Sequence, residues 1–192
     1  MLAYVFWHCP LEDSTVDAYE RAQIAFHRSL AHAPPVGFAG SACYRAVELP
    51  WLGGVAGYED WYFVEDYTAL GVLNEAAVGR GHRTTHDDIA RRFGAGAGGL
   101  YGLIEGHNPQ TDQASVAVWV ARSPGVQRRA LGELLGDGMD PQHASLWRRQ
   151  LVLGPAPEFC LLARELPAGA TPARLPADWT ATVFEREALW TG

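Results

Sequence analysis

Histidine is the side chain best suited to moving protons near neutral pH, and three of the seven in this chain stand in patterns that could support chemistry. His8 ends the segment Ala3-Tyr4-Val5-Phe6-Trp7-His8, which is otherwise apolar or aromatic. In a strand it shares a face with Tyr4 and Phe6, so it could point into a cavity and act as a general base or orient a substrate. The competing reading is a strand-end histidine bonded to backbone or water. His82 and His86 form H-x-x-x-H and are followed by Asp87 and Asp88, ligands of suitable type for a metal if all four share one helical face. However, Thr84 or Thr85 with an acid three residues later has the form of a helix start. That places His82 before the helix and makes the two acids first-turn residues favoured by the helix dipole. No metal site is therefore assigned, and His82 and His86 are kept as candidate ligand-binding residues. Tyr44, Trp61, Tyr62 and Tyr101 offer broad apolar rings with a polar tip, which could stack on a flat ligand. Asp60 and Arg45, polar residues within apolar strands, read as edge residues or charge-pair partners.

Composition removes several mechanisms. All 15 basic residues are Arg, and there is no Lys. A Schiff base to a carbonyl substrate, a pyridoxal phosphate site, a Walker A nucleotide loop and the strand Lys of a protein kinase are thereby excluded, barring a partner chain. The Arg bias itself reads as a genome rich in G and C. A net charge of −7 provides no basic footprint for nucleic acid. The run Gly94-Ala95-Gly96-Ala97-Gly98-Gly99 follows a helix and precedes a strand, the reverse of a dinucleotide-binding loop, so a helix C-cap and turn is expected. No serine has a G-x-S-x-G setting. Cys9, Cys43 and Cys160 are odd in number and lack C-x-x-C spacing, so they read as small core residues. The longest apolar runs, such as Leu2 to Trp7, are too short to cross a bilayer, and the basic start of a signal peptide is missing. A cytoplasmic location without a membrane partner is expected.

The elements that must position these residues follow from periodicity. Ala3 to His8 suits a strand covered on both faces. Ser14-x-x-Asp17 resembles a capping box, and Tyr19, Ala22, Phe26 and Leu30 recur at helical spacing up to Pro34-Pro35. Phe38 to Glu48 and Tyr58 to Glu65 read as strands joined by a glycine-rich loop. Asp66 or Thr68 can cap a second helix that buries Leu70, Leu73 and Ala77. A short helix through Ile89 and a strand from Tyr101 to Glu105 complete the order β-α-β-β-α-β. After a linker at His107 to Gln113 the pattern starts again: Val116 to Val120 echoes the first strand, with Trp119 at the place of Trp7 and Val120 at that of His8. Val126 to Leu135 reads as a helix, Leu146-Trp147-Arg148 and Glu158 to Glu165 as strands, Pro167 to Pro176 as loop, and Thr180 to Glu187 as the final strand.

This order resembles the dimeric α+β barrel superfamily, in which ferredoxin-like units pair through their sheets, sometimes as two copies in one chain. Within the first copy, Glu59-Asp60-Trp61-Tyr62-Phe63-Val64-Glu65-Asp66 and Leu73-Asn74-Glu75-Ala76-Ala77-Val78 look like motifs of a bacterial group whose activity the resemblance does not supply. The resemblance implies an α+β fold of two tandem ferredoxin-like units with antiparallel sheets, forming a pseudo-dimeric α+β barrel. Residues 1–110 would be the first unit and 111–192 a second, degenerate one. The wider superfamily includes cofactor-free monooxygenases, isomerases and haem proteins. The leading expectation is a small-molecule-binding protein, of a cofactor-free monooxygenase or isomerase kind, acting on an apolar or aromatic ligand. His8 would be its base, and Tyr44, Trp61, His82, His86 and Tyr101 would line a cavity between the two sheets. The alternatives are a non-catalytic protein that self-associates through an apolar sheet face, such as a homodimer, and a haem or metal-binding protein.

Overall fold

A computed structural model describes residues 1–79, 81–106, 116–122, 144–165 and 179–192. The expected linker, the helix over Val126 to Leu135 and the loop over Pro167 to Pro176 lie outside the described residues. Within them, the chain order is β1 (Leu2–Pro10), α1 (Val16–His32), β2 (Phe38–Leu49), β3 (Val55–Val64), α2 (Tyr67–Gly79), α3 (Arg83–Ala90) and β4 (Phe93–Gly106). Four more strands follow: β5 (Val116–Arg122), β6 (Ala144–Arg149), β7 (Phe159–Ala163) and β8 (Trp179–Thr191). No helix among the described residues is long and apolar enough to cross a membrane.

The fold is α+β, and the eight strands among the described residues close into an antiparallel barrel in the order β1-β3-β2-β8-β5-β7-β6-β4. The first four strands run β4-β1-β3-β2, the order of a ferredoxin-like sheet, and the last four run β8-β5-β7-β6 in the same pattern. The seams between these groups are β2 with β8 and β4 with β6. His8 pairs with Tyr58 and Gly96, and Val120 pairs with Phe159 and Ala181, so the two occupy matching places in their groups.

Strand alternation sorts the side chains onto two faces. The inner face carries Val5, Trp7, Tyr44, Trp61, Phe63, Tyr101, Trp119 and Trp147, all members of one buried cluster. Trp119 stands 5.3 Å from Trp7 and 5.2 Å from Tyr101 between ring centres, both edge to face. Glu59 enters the same space: Trp7 Nε1 donates to its Oε2 and Trp61 Nε1 to its Oε1, each at 2.8 Å. Arg186 Nη1 donates to Glu59 Oε1 at 2.6 Å, and its guanidinium lies 3.9 Å from the Tyr44 ring centre. The expected cavity between two incompletely filled sheets is replaced, around these residues, by aromatic rings locked about a buried ion pair.

The outer face of the first group is covered by the helices. α1 begins at Thr15, whose side chain accepts from Ala18 N at 3.4 Å, so the cap is Thr15 rather than Ser14. Tyr19, Ala22, Gln23, Phe26, His27 and Leu30 form its buried stripe. Asp66 caps α2 by accepting from Ala69 N at 2.9 Å. α3 starts two to three residues earlier than expected: His82 is its N-cap residue and Thr85 Oγ1 donates to the His82 carbonyl at 2.9 Å.

The glycine-rich run is not a helix C-cap and turn but lies inside β4. Its glycines make room for rings on the neighbouring strand. A Cβ on Gly96 would meet the Phe6 ring at 2.6 Å, one on Gly98 the Tyr4 hydroxyl at 2.6 Å, and one on Gly99 the Trp7 ring at 3.1 Å as well as the Tyr101 ring of its own strand at 2.8 Å. Composition signalled a turn, but close packing of aromatics explains the glycines.

Candidate functional site

Two features meet on the outer face: a buried polar cluster on the sheet and an apolar groove above it. The cluster centres on Asp60, which β3 presents beneath α1 and which is fully buried. Its Oδ2 accepts from Tyr62 Oη at 2.9 Å and from the Gln23 amide at 3.2 Å, and lies 3.1 Å from His8 Nε2. Its Oδ1 faces His27 Nε2 at 3.5 Å. Burial alone would raise the Asp60 carboxyl, but the imidazoles of His8 and His27 beside it hold it well below the usual carboxylate range. In the opposite direction, burial first and the Asp60 charge second push the Tyr62 and Tyr19 phenols and the Cys43 thiol upward.

His8 lies among Phe6, Tyr58 and Phe93, with ring centres 5.0, 5.6 and 5.0 Å away. Its Nδ1 is 2.5 Å from Tyr19 Oη and its Nε2 is 2.7 Å from the Gln23 amide nitrogen. With a proton on Nδ1 only, the ring donates to Tyr19 and accepts from Gln23. A second proton, on Nε2, turns the 3.1 Å contact with Asp60 into an ion pair. The ring thus has a counterion in place for an added proton, as a general base requires.

The groove, of about 680 Å³, lies between β1, β3 and the three helices. Its walls are largely apolar: Tyr4, Phe6, Phe26, Leu70, Leu73, Ala77, Ile89 and Phe93. Gln23 and Tyr62 also line it, so they connect the groove to Asp60 and His8. Gln23 Oε1 is buried without a hydrogen-bond partner. This combination of apolar walls and a few convergent polar groups suits a small organic ligand.

The candidate residues are split between the two faces. His8 is on the outer face beside the groove's polar floor. Tyr44, Trp61 and Tyr101 are on the inner face, within the barrel cluster. Tyr101 Oη donates to the Pro157 carbonyl at 3.0 Å. His86 lines the groove, where its ring stands 5.7 Å from Phe26 and its Nδ1 is 3.2 Å from Asp87 Oδ1. His82 is buried at the start of α3, where Nε2 donates to the Ala33 carbonyl at 3.1 Å and Nδ1 is 2.8 Å from Ser29 Oγ. The H-x-x-x-H pair therefore does not converge on a shared point. Asp60 and Arg45 are both charge-pair members, Arg45 with Glu20 and Glu187. Sequence reading missed Gln23, His27 and Ser41. The available signal was that Tyr19, Gln23 and His27 recur every four residues within the apolar stripe of α1.

No family model matches the chain, and no curated protein matches it. Among solved structures, the chain is similar to an anthrone oxidase-like protein at 11% identity and a TM-score of 0.54, covering 98% of this chain and 93% of that one. It is also similar to the putative chlorite dismutase TA0507 at 11% identity and a TM-score of 0.52, covering 98% and 95%. A dimeric protein of unknown function and ferredoxin-like fold from Bacteroides fragilis NCTC 9343 aligns over 52% of this chain and 92% of its own, at 10% identity and a TM-score of 0.39. At such identities the first two likenesses speak to fold.

Proposed function

We propose that the protein binds a small, flat, largely apolar or aromatic molecule in the groove beneath α1, α2 and α3. In this reading it catalyses a cofactor-free reaction of the oxygenase or isomerase kind, begun by removing a proton from an activated carbon. The observation that carries the reading is the groove itself: apolar walls ending on Gln23 and Tyr62, with Asp60 and His8 directly behind. A ligand carbonyl or hydroxyl meets Gln23 and the Tyr62 hydroxyl. Tyr62 takes the substrate proton as its own passes by way of Asp60 Oδ2 to the neutral His8 Nε2, leaving an imidazolium paired with the Asp60 carboxylate. Tyr62 is the group that touches substrate, and His8 acts through it.

The name of the oxidase-like neighbour is in keeping with a flat aromatic ketone as ligand, but the choice of ligand class rests on the groove. The duplication of one template across 1–110 and 111–192 belongs to the same proposal, supported by the matching strand orders. The self-association alternative is less favoured, because the inner sheet face it would use is covered within the chain by β5 to β8.

The test is equilibrium binding of a panel of naphthols and tricyclic aromatic ketones, followed by quenching of intrinsic fluorescence. Binding is expected in the micromolar range typical of such pockets, roughly −8 kcal/mol. It should be abolished in Ala77→Trp, which fills the groove from α2. Tyr62→Phe should keep binding and lose turnover. Binding that is unchanged in Ala77→Trp would contradict the reading.

A further inference from the structure

We infer that His27, Cys43 and Asp60 form a buried site for one divalent transition-metal ion of the zinc type. The inference goes beyond the groove reading, with which it shares Asp60 and Tyr62. The three residues come from α1, β2 and β3, and Cys43 and Asp60 are direct cross-strand partners. All three are fully buried, and one potential ligand atom from each lies within 4.8 Å of the other two.

Two observations separate this cluster from an ordinary buried polar group. First, His27 Nε2 and Asp60 Oδ1 are both buried without a hydrogen-bond partner. Second, they face each other at 3.5 Å. Tetrahedral coordination with metal bonds of about 2.0–2.2 Å puts neighbouring nitrogen and oxygen ligands about 3.4 Å apart. The Cys43 sulfur lies within 4.8 Å of both.

The surroundings fit a ligand set. Ser41 Oγ is 2.8 Å from His27 Nδ1, and accepting from that nitrogen leaves the Nε2 lone pair directed at Asp60, as outer partners of metal-bound histidines do. The ring is held by stacking on Tyr62, with centres 5.1 Å apart and planes 6° from parallel. Asp60 Oδ2 is occupied by Tyr62 and Gln23, which orients Oδ1 toward His27. One nitrogen, one thiolate and one carboxylate suit Zn²⁺ or Co²⁺ and disfavour Mg²⁺ and Ca²⁺, which prefer all-oxygen shells. Charge also balances: thiolate and carboxylate together offset a divalent ion, so the buried site is neutral when filled. Gln23 and Tyr62 border both the cluster and the groove.

The experiment strips the full-length protein with a chelator and titrates it with Co²⁺, which reports thiolate ligation through a charge-transfer absorption band. One equivalent should bind and produce the band, and Zn²⁺ should displace it. Cys43→Ser should lose the band, while Cys9→Ser and Cys160→Ser keep it. His27→Gln should weaken binding by roughly tenfold or more and Ser41→Ala by a similar order. Circular dichroism confirms that each variant is folded, and His27→Gln decides the matter should Cys43→Ser fail to fold. Folded wild-type protein that takes up neither ion, or a band that survives Cys43→Ser, would overturn the inference.

Discussion

A buried charge is most informative when its partner can be removed. Glu59 and Arg186 are fully shielded inside the barrel, and Glu59 also accepts from two tryptophans. Glu59→Gln leaves the guanidinium without its carboxylate and should cost about 3–5 kcal/mol in urea denaturation. The double change Glu59→Gln with Arg186→Met should recover most of that loss, because removing both charges removes the desolvation penalty. A single variant as stable as the wild type would show that the pair contributes nothing. Tyrosines supply a pH dependence with a defined sign. Burial, then the hydrogen bond to Glu20, pushes the Tyr58 phenol up to about 12. Folding therefore favours its neutral form, and the stability this contributes is complete below the ordinary phenol value near 10 and falls between about 10 and about 12. Tyr19, Tyr62 and Tyr101 are shifted the same way. Denaturation midpoints should drop steeply across that interval, and a flat profile would contradict these environments. At this scale, His8 was legible from the sequence because it breaks an apolar strand. Its partners were legible only in part: Asp60 stood out as a polar residue in a strand, whereas His27 and Gln23 were hidden in a helix whose apolar residues dominated the reading. Arg186 had no local signal, since it meets Glu59 across 127 positions of sequence.

Elements are constrained by what their backbones allow their neighbours to do. β4 uses glycine where β1 uses aromatics, and Gly99 stands against the Trp7 and Tyr101 rings, both fully buried. Gly99→Ala should destabilise the protein by about 1–3 kcal/mol, the usual cost of overpacking a filled core. Thermal unfolding checks this, and an unchanged midpoint would mean that the rings can yield. The sequence made strands and helices visible wherever apolar periodicity was strong, as in β1, α1 and β3. It misled at β4 because glycine is a turn signal by composition, and only the neighbouring strand shows that these glycines are there for their lack of a side chain. The start of α3 was misjudged for a related reason: Thr84 and Thr85 are good caps locally, but the burial of His82 against Ser29 and Ala33 goes with a helix start two to three residues earlier.

At the scale of the molecule, the order of elements among the described residues was readable and the place of the groove was not. Alternation in β1 to β3 gave two buried faces, but nothing in it said which face holds a cavity. The answer came from volume: among the described residues, Trp7, Trp61, Trp119 and Trp147 pack the inner space, and the groove lies on the helical side. Closure also makes the two halves interdependent through the β2–β8 and β4–β6 seams. A chain ending at Gly106 would expose the inner rings and two unpaired strand edges, and it should sediment as a dimer or a larger species. A stable monomer would contradict that interdependence.

The most direct measurement is the position of a heavy-atom-labelled ligand. Crystals soaked with a brominated naphthol should give an anomalous bromine peak between α1 and α2, above Tyr62 and Gln23. A bromine peak inside the barrel or on the outer surface away from the groove, at saturating ligand, would contradict the account.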